Sequence, residues 1–273
     1  MTDLQGFVDQ AWTDHADDAA GVAQRQPQAL DAVRSEAELM DLARLAHHVH
    51  GAHLGAWADA LGFLTALAQA PAFEAAGASG RALRCWRASL HLAAGDRDPR
   101  QALAVDERIT VSAQAAACMA LHDGVRARQL LQQTFDLSEA TPLAASDPAL
   151  RSLAAHANGI AVALEVEPER SEAERELMLL AAETARRYWQ MADSWLQVER
   201  AEDRLAMSWL AAGDAARARQ HALACLAIVD AQAEPPALET FFGQEALART
   251  ERAAGNAAGH AQARVAMEAA FAG

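Results

Sequence analysis

The sequence contains no lysine and only one tyrosine among its 273 residues. All 23 basic residues are therefore arginine, which is typical of the codon usage of a GC-rich bacterial genome. Valine, isoleucine and threonine are sparse, so the residues that favour β-strands are scarce. Alanine, the strongest helix former, makes up roughly a quarter of the chain. This composition predicts an all-α protein.

Cysteine is almost as rare. The three cysteines, Cys85, Cys118 and Cys225, are odd in number and far apart in sequence. We therefore expect reduced, buried thiols in a cytoplasm, rather than a disulfide framework or a zinc site. No apolar run approaches the ~18 residues that span a bilayer, and residues 1–3 lack the basic region of a signal peptide. These features predict a cytoplasmic protein with no membrane partner.

Positive charge is also in short supply. The formal net charge is −14. Both halves of the chain are acidic, so neither half is a basic domain whose charge is masked by the other. Nucleic acids and anionic membranes are bound by basic surfaces. The charge therefore argues against both as partners.

A short phrase recurs in the sequence. It is HLAAGD at 91–96, WLAAGD at 209–214 and ERAAGN at 251–256, while a second phrase, RARQ, occurs at 126–129 and 217–220. Ala-Ala-Gly followed by Asp or Asn indicates the end of a helix, a glycine C-cap and the cap of the next helix. Recurring helix–turn–helix units are typical of an α-solenoid.

Side-chain caps predict where further helices begin. The predicted capping boxes are Thr2/Gln5, Ser35/Glu38 and Ser171/Glu174. Two further helices are predicted to begin at Asp147-Pro148 and at Asp98-Pro99. The helix that begins at Asp98-Pro99 is predicted to run to Leu121. Gly51 is predicted to end a helix. With the apolar spacing, these signals predict about ten to thirteen helices. The last four are predicted over about 194–212, 215–231, 237–254 and 257–271.

A wider pattern surrounds the turn glycines. A small residue lies where two helices would cross, with large apolar residues a turn to either side and another small residue about five positions after the glycine. The first example comprises Leu205, Ala206, Trp209, Gly213, Asp214, Ala218, Ala222 and Cys225, and the second Leu247, Ala248, Gly255 and Asn256. This pattern resembles the tetratricopeptide repeat. The crossing residues Ala115, Ala161, Ala206 and Ala248 are 42 to 46 positions apart, compared with about 34 in the standard repeat, so the resemblance is to a divergent form with longer helices.

The resemblance implies an α-α superhelix of antiparallel helix hairpins. It covers about residues 99–271, so we divide the chain into an irregular helical segment, 1–97, and a repeat region, 98–273. In such repeats the first helix of each pair lines a concave groove. The residues expected to bind a partner there are Asn158, Arg200, Asp203, Met207, Phe242, Arg249 and Arg252. Peptide-clamping members of the family use lysine, asparagine and arginine, and this chain has no lysine for such a clamp.

Histidines offer an alternative chemistry. His47 and His50 are three positions apart, so both rings could reach one metal ion; equally, they could form a histidine-rich helix end that favours the helix dipole. A second set, His91 and His122-Asp123 with Asp193 or Asp203, has the residue types of an all-α, HD-like metal-dependent phosphohydrolase. Position 122–123 also matches a hairpin turn, which favours a structural role.

Arginines recur every three residues at Arg81, Arg84 and Arg87, beside Trp86 and His91. They could bind a carboxylate or an acidic peptide, or form a solvated face. We expect a non-catalytic scaffold that binds a protein or peptide and needs no cofactor. The alternatives are the phosphohydrolase and a ligand-sensing helical domain that acts through a partner.

Overall fold

A computed structural model describes residues 3–192 and 194–272. Within these residues it contains thirteen α-helices and no β-strand, which confirms the predicted all-α class. The capping box predicted on Thr2, and Asp193 of the proposed hydrolase set, lie outside the described residues.

The first seven helices are α1 Leu4–Asp14, α2 Ala19–Arg25, α3 Glu36–Ala46, α4 Trp57–Leu67, α5 Ala78–Ala94, α6 Val105–Met119 and α7 Gly124–Ala140. The others are α8 Pro148–Glu165, α9 Glu172–Trp189, α10 Trp195–Ala211, α11 Ala215–Asp230, α12 Ala237–Ala253 and α13 Ala257–Ala272. Short 3₁₀ segments cover Gln26–Ala32, Arg100–Ala102 and Gln190–Ala192, and a π-helix covers His47–His53. None of these helices is both long enough and apolar enough to cross a membrane.

The chain divides into two compact units, Met1–Leu130 and Leu131–Gly273, and the division falls inside α7. The division predicted at 97/98 stays a prediction. In the first unit the π-helix is surrounded by α2, α3, α4 and α6. The core of this unit consists of fully buried large side chains, including Leu39, Leu42, Leu64, Leu90 and Ile109.

In the second unit each helix from α8 to α13 packs against the next one in sequence. In addition, α10 packs against both α8 and α12. Small residues allow these close approaches: Ala206, Ala222 and Ala246 form one buried cluster. A Cβ at Gly243 of α12 would lie 2.8 Å from the side chain of Leu226 of α11, so a larger residue there requires the Leu226 side chain to move.

Several sequence signals are confirmed. Gly95, Gly213 and Gly255 all have positive φ, at 73°, 87° and 73°, as expected for glycine C-caps. The capping boxes at Ser35 and Ser171 are formed. Asp147, with Pro148 next to it, caps α8.

One predicted helix start and one predicted helix end differ from the structure. The helix predicted to begin at Asp98 begins instead at Val105, because the Asp98 carboxylate accepts hydrogen bonds from the backbone and guanidinium of Arg100 and holds a separate turn. Gly51 does not end a helix but lies within the π-helix, where a Cβ would be 2.9 Å from the sulfur of Cys118. Close packing, and not termination, requires glycine at this position.

Candidate functional site

Four of the seven residues predicted to bind a partner line one cavity of about 300 Å³ in the second unit. Asn158 comes from α8, Arg200 and Asp203 from α10, and Phe242 from α12. Glu199, Arg204 and Glu239 complete the lining. The cavity lies where α10 packs against both neighbours, so we refer to it as the α10 cavity.

The sequence of α10 places two pairs of charged residues in this cavity. Glu199 and Asp203 are four positions apart, as are Arg200 and Arg204, so each pair shares a face of the helix. The opposite face carries apolar residues that are buried against the neighbouring helices, such as Leu205. This amphipathic pattern fixes which side chains face the cavity.

Both arginines of the cavity are already paired with carboxylates on the adjacent helices. The Arg200 guanidinium donates to Glu239 of α12 at 3.0 Å, and Glu239 is buried. The Arg204 guanidinium is ion-paired with Glu165 of α8, which also accepts a 2.6 Å hydrogen bond from Ser208. Both guanidinium groups of the cavity therefore have a carboxylate partner within the protein, while the Nε atom of Arg204 is buried and has no hydrogen-bond partner among the described residues.

The other two carboxylates are not balanced in this way. Glu199 accepts a hydrogen bond from the Cys225 thiol at 2.9 Å, but its Oε2 atom is buried and has no partner among the described residues. Asp203 accepts no hydrogen bond from any described residue. An ionised carboxylate buried without a partner is costly, and the protein normally responds by shifting its pKa.

The pKa values of these two groups follow their surroundings. Burial is the largest cause that raises the pKa of Asp203 to about 6; the positive charges of Arg204 and Arg249 lower this pKa, and the negative charges of Glu165 and Glu245 raise it. Burial also raises the pKa of Glu199, with further contributions from Asp203 and Glu239. An added cation would therefore stabilise the ionised form of both carboxylates.

The three remaining predicted binding residues do not line the cavity. The Arg249 guanidinium contacts the Met207 sulfur at 3.3 Å and lies 3.8 Å from the carboxylate of Glu245. Arg252 is exposed on the last turn of α12. The predicted groove is thus divided into a cavity around Asp203 and a neighbouring surface around Arg249.

A second cavity, of about 550 Å³, lies in the first unit. Arg84, Arg87 and His91 of α5 line it together with Arg97, as part of the predicted arginine set. Its other lining residues include Phe73, Leu83 and Glu107. Arg81 and Trp86 are not among the lining residues that the structure shows.

The charges in this second cavity are only partly paired. Arg84 is ion-paired with Glu107, and His91 lies 3.1 Å from Asp96. Arg87 and Arg97 form no ion pair with any described residue. The cavity therefore has an excess of positive charge, the opposite of the α10 cavity.

The histidines predicted as metal ligands have separate partners. The Nε2 atom of His47 lies 2.8 Å from the hydroxyl of Ser89, and that of His50 lies 3.0 Å from the side-chain oxygen of Gln26. Neither belongs to the only trio of potential ligands found among the described residues, which is His15, His48 and His53. Sequence reasoning missed this trio because His15 is distant in the chain.

The residues suggested for a phosphohydrolase are also engaged elsewhere. His122 Nε2 donates to the backbone oxygen of Ala52 at 3.0 Å, and Asp123 accepts from the backbone of Arg126 at the start of α7. His91 pairs with Asp96 as described, and Asp203 belongs to the α10 cavity of the second unit. No observation on the described residues favours this alternative.

The cysteines are free and buried, as predicted. Burial raises the pKa of the Cys118 thiol to about 12, so this group stays protonated. A protonated, buried thiol is a poor nucleophile and a poor metal ligand.

Comparison of the chain with family models, curated proteins and solved structures finds no match.

Proposed function

We propose that this protein is a non-catalytic helical-repeat scaffold of the tetratricopeptide type, and that its second unit binds a peptide along α8, α10 and α12. The adjacency of these three helices supports this, since first helices of successive hairpins line the groove in such repeats. The glycine-capped turns at Gly213 and Gly255 recur at equivalent positions. The proposal places the partner in a groove that includes the α10 cavity.

The observation that carries the proposal is the unbalanced pair of Glu199 and Asp203. A lysine or arginine side chain, or a peptide amino terminus, would supply the donors that these carboxylates lack. Since Arg200 and Arg204 are paired with other carboxylates, they do not compete for this role. We therefore infer that the bound peptide carries a cationic group.

Apolar side chains beside the cavity define the rest of the ligand. Phe242 is 46% exposed and Leu238, one turn earlier on α12, is 57% exposed. Val162 on α8 is 38% exposed. Exposed apolar residues next to charged ones are typical of surfaces that bind amphipathic peptides. A peptide with one cationic residue flanked by apolar ones fits this surface.

The test is a fluorescence-polarisation screen of short peptides that differ in charge at one position between apolar residues. We expect peptides with lysine or arginine to bind, and Asp203→Asn to weaken their binding at least tenfold. Asp230→Asn is the matched control, because this residue is exposed on α11 and does not line the cavity. Equal binding of acidic and basic peptides, or equal loss in both variants, would contradict the proposal.

We propose a second candidate function for the first unit: recognition of a small anion, such as a carboxylate or phosphate. The observation that favours it is the half-buried Arg87, which lines the 550 Å³ cavity with Arg97 and has no acidic partner among the described residues. Arginine binds planar anions through paired hydrogen bonds. This candidate corresponds to the ligand-sensing helical domain considered above, with the 550 Å³ cavity as its ligand-binding site.

A thermal-shift screen with anionic metabolites tests the second candidate, because a ligand that binds only the folded state raises the melting temperature. Arg87→Gln should abolish the shift. Arg81→Gln, on the same helix but outside the cavity lining, should leave it unchanged. If both variants respond like the wild type, the cavity is not the binding site.

A further inference from the structure

Three imidazoles meet at one point in the first unit. His15 directly follows α1, while His48 and His53 belong to the π-helix. Their ring centroids are 4.7 to 5.0 Å apart. One ring nitrogen from each residue lies within 4.8 Å of the other two. All three side chains are half-buried, so the cluster can be reached from solvent.

The π-helix is what brings two of these rings together. In an α-helix, residues five positions apart point in directions that differ by about 140°. Here the backbone N–H of Leu54 donates to the oxygen of Val49, five residues earlier, at 3.1 Å. This wider turn brings His53 over His48, with their Nε2 atoms 3.1 Å apart. π-Helical turns are uncommon and are often found at functional sites.

The third ring is held with its free nitrogen available. The Nδ1–H of His15 donates to the backbone oxygen of Trp12 at 2.7 Å, which leaves Nε2 as the atom with a lone pair. A hydrogen bond from the second ring nitrogen to a carbonyl is the usual support for a metal-binding histidine. The Trp12 ring also packs against His48, with centroids 5.1 Å apart, and restricts its orientation.

The spacing fits a transition-metal ion. Tetrahedral zinc, with Zn–N bonds of about 2.0–2.1 Å, holds its ligand nitrogens about 3.3 Å apart. The His48–His53 separation of 3.1 Å is close to this value. The His15 nitrogen lies within 4.8 Å of the other two, so a movement of at most about 1.5 Å brings it to the tetrahedral spacing.

We propose that His15, His48 and His53 bind one divalent transition-metal ion of the zinc class. Imidazole ligands suit Zn²⁺, Cu²⁺ and Ni²⁺ and do not suit Mg²⁺ or Ca²⁺. Three protein ligands leave a fourth position for water. Binding connects the end of α1 to the π-helix, so the metal stabilises the first unit.

The test uses the full chain without a histidine tag, titrated with Zn²⁺ by calorimetry and with Co²⁺ by visible absorption. We expect one equivalent to bind, with a tetrahedral Co²⁺ spectrum and an increase in melting temperature. His53→Gln should weaken Zn²⁺ binding at least tenfold. His50→Gln is the matched control in the same π-helix, and its affinity should stay within twofold of the wild type.

Absence of stoichiometric binding by the wild type would overturn the proposal. So would equal losses in His53→Gln and His50→Gln, which would indicate a site elsewhere in the histidine-rich segment. Circular dichroism reports whether each variant is folded. If a variant does not fold, X-ray absorption on the zinc-loaded wild type decides: three imidazole nitrogens at about 2.0–2.1 Å support the site, and fewer than three contradict it.

Discussion

Asp203 lies one helical turn after Glu199 on α10, and both carboxylates face the same cavity, although neither forms an ion pair with a described residue. The nearest guanidinium groups are held by Glu239 and Glu165. Such an arrangement lowers the stability of the free protein and favours a cationic ligand. Stability and binding should therefore change in opposite directions when either carboxylate is neutralised.

The first prediction is that Asp203→Asn stabilises the protein at pH 7.5. The pKa of Asp203 rises from 3.8 to about 6 on folding, so the folded state binds more protons than the unfolded state between these values. The free energy of unfolding then decreases as the pH rises from about 4 to 6. We expect a gain of about 1–3 kcal/mol for the variant at pH 7.5.

Chemical denaturation at pH 7.5 and at pH 4 measures this effect. The advantage of Asp203→Asn should shrink at pH 4, where the wild-type carboxyl is protonated in the folded state. Asp17→Asn, an exposed position in the first unit, is the control and should change stability by less than about 0.5 kcal/mol. A destabilised Asp203→Asn protein would show that the carboxylate is a structural partner and not an unbalanced charge.

The affinity for a cationic peptide should depend on whether the Asp203 carboxyl group is protonated. Because the pKa of Asp203 is about 6, acidification from pH 7.5 to 5 should weaken binding of an arginine-containing peptide about tenfold. Arginine itself does not titrate in this range. The dependence should be smaller in Asp203→Asn, where only Glu199 of the pair can still change its charge. A pH-independent affinity in the wild type would rule out Asp203 as the ionised contact.

A neighbouring carboxylate on α10 should behave in the opposite way. Burial alone would raise the pKa of Glu202, but hydrogen bonds from His221 at 2.7 Å and Arg186 at 2.5 Å lower it. Glu202→Ala removes a balanced partner and leaves Arg186 partly buried without one. We expect a loss of about 2–3 kcal/mol by chemical denaturation.

The control for this loss is Glu268→Ala, which breaks a pair with Arg264 on α13 in which both side chains are more than half exposed. Its cost should be below about 1 kcal/mol. If both variants lose a similar free energy of unfolding, solvent screens the ion pairs of Glu202 as strongly as that of Glu268, which would contradict the prediction.

The repeated turn can be tested through its glycine. Gly213 has φ of 87°, and a Cβ there would meet no atom within 4 Å, so Gly213→Ala isolates the backbone cost. We expect a loss of about 1–2 kcal/mol. Gly62→Ala also adds a methyl group in open space, but within α4 at a normal helical conformation, and should stabilise by about 0.5–1 kcal/mol. Thermal or chemical denaturation of the two variants should give changes of opposite sign.

Much of the second unit could be predicted from sequence, because α8, α9 and α11 begin at side-chain caps and α10 and α12 end next to the glycines Gly213 and Gly255. The four helices predicted from 194 to 271 match α10 to α13 within one residue at each end. The same periodicity brought Asn158, Asp203 and Phe242 to one cavity. Local signals and the alignment of repeats were sufficient in this part of the chain.

The charged residues that define the cavity were harder to predict. Glu199 and Glu239 are buried, although glutamate is usually exposed, so composition alone places them on the surface. Glu199 could have been suggested by its position four residues before Asp203. Glu239 could have been suggested as a partner for Arg200 on a neighbouring helix. The π-helix has no comparable signal: Gly51 predicts a helix end there, whereas in the structure this glycine packs closely against the side chains of Cys118 and Leu90.

The most direct test of the peptide-binding account is a double-mutant cycle between Asp203 and the cation of a bound peptide. Calorimetry would compare wild type and Asp203→Asn, each with an arginine peptide and with the same peptide carrying uncharged citrulline. A direct contact between two close charges predicts a coupling energy of about 1.5 kcal/mol or more. A coupling energy indistinguishable from zero, with the arginine peptide bound equally by both proteins, would contradict the account.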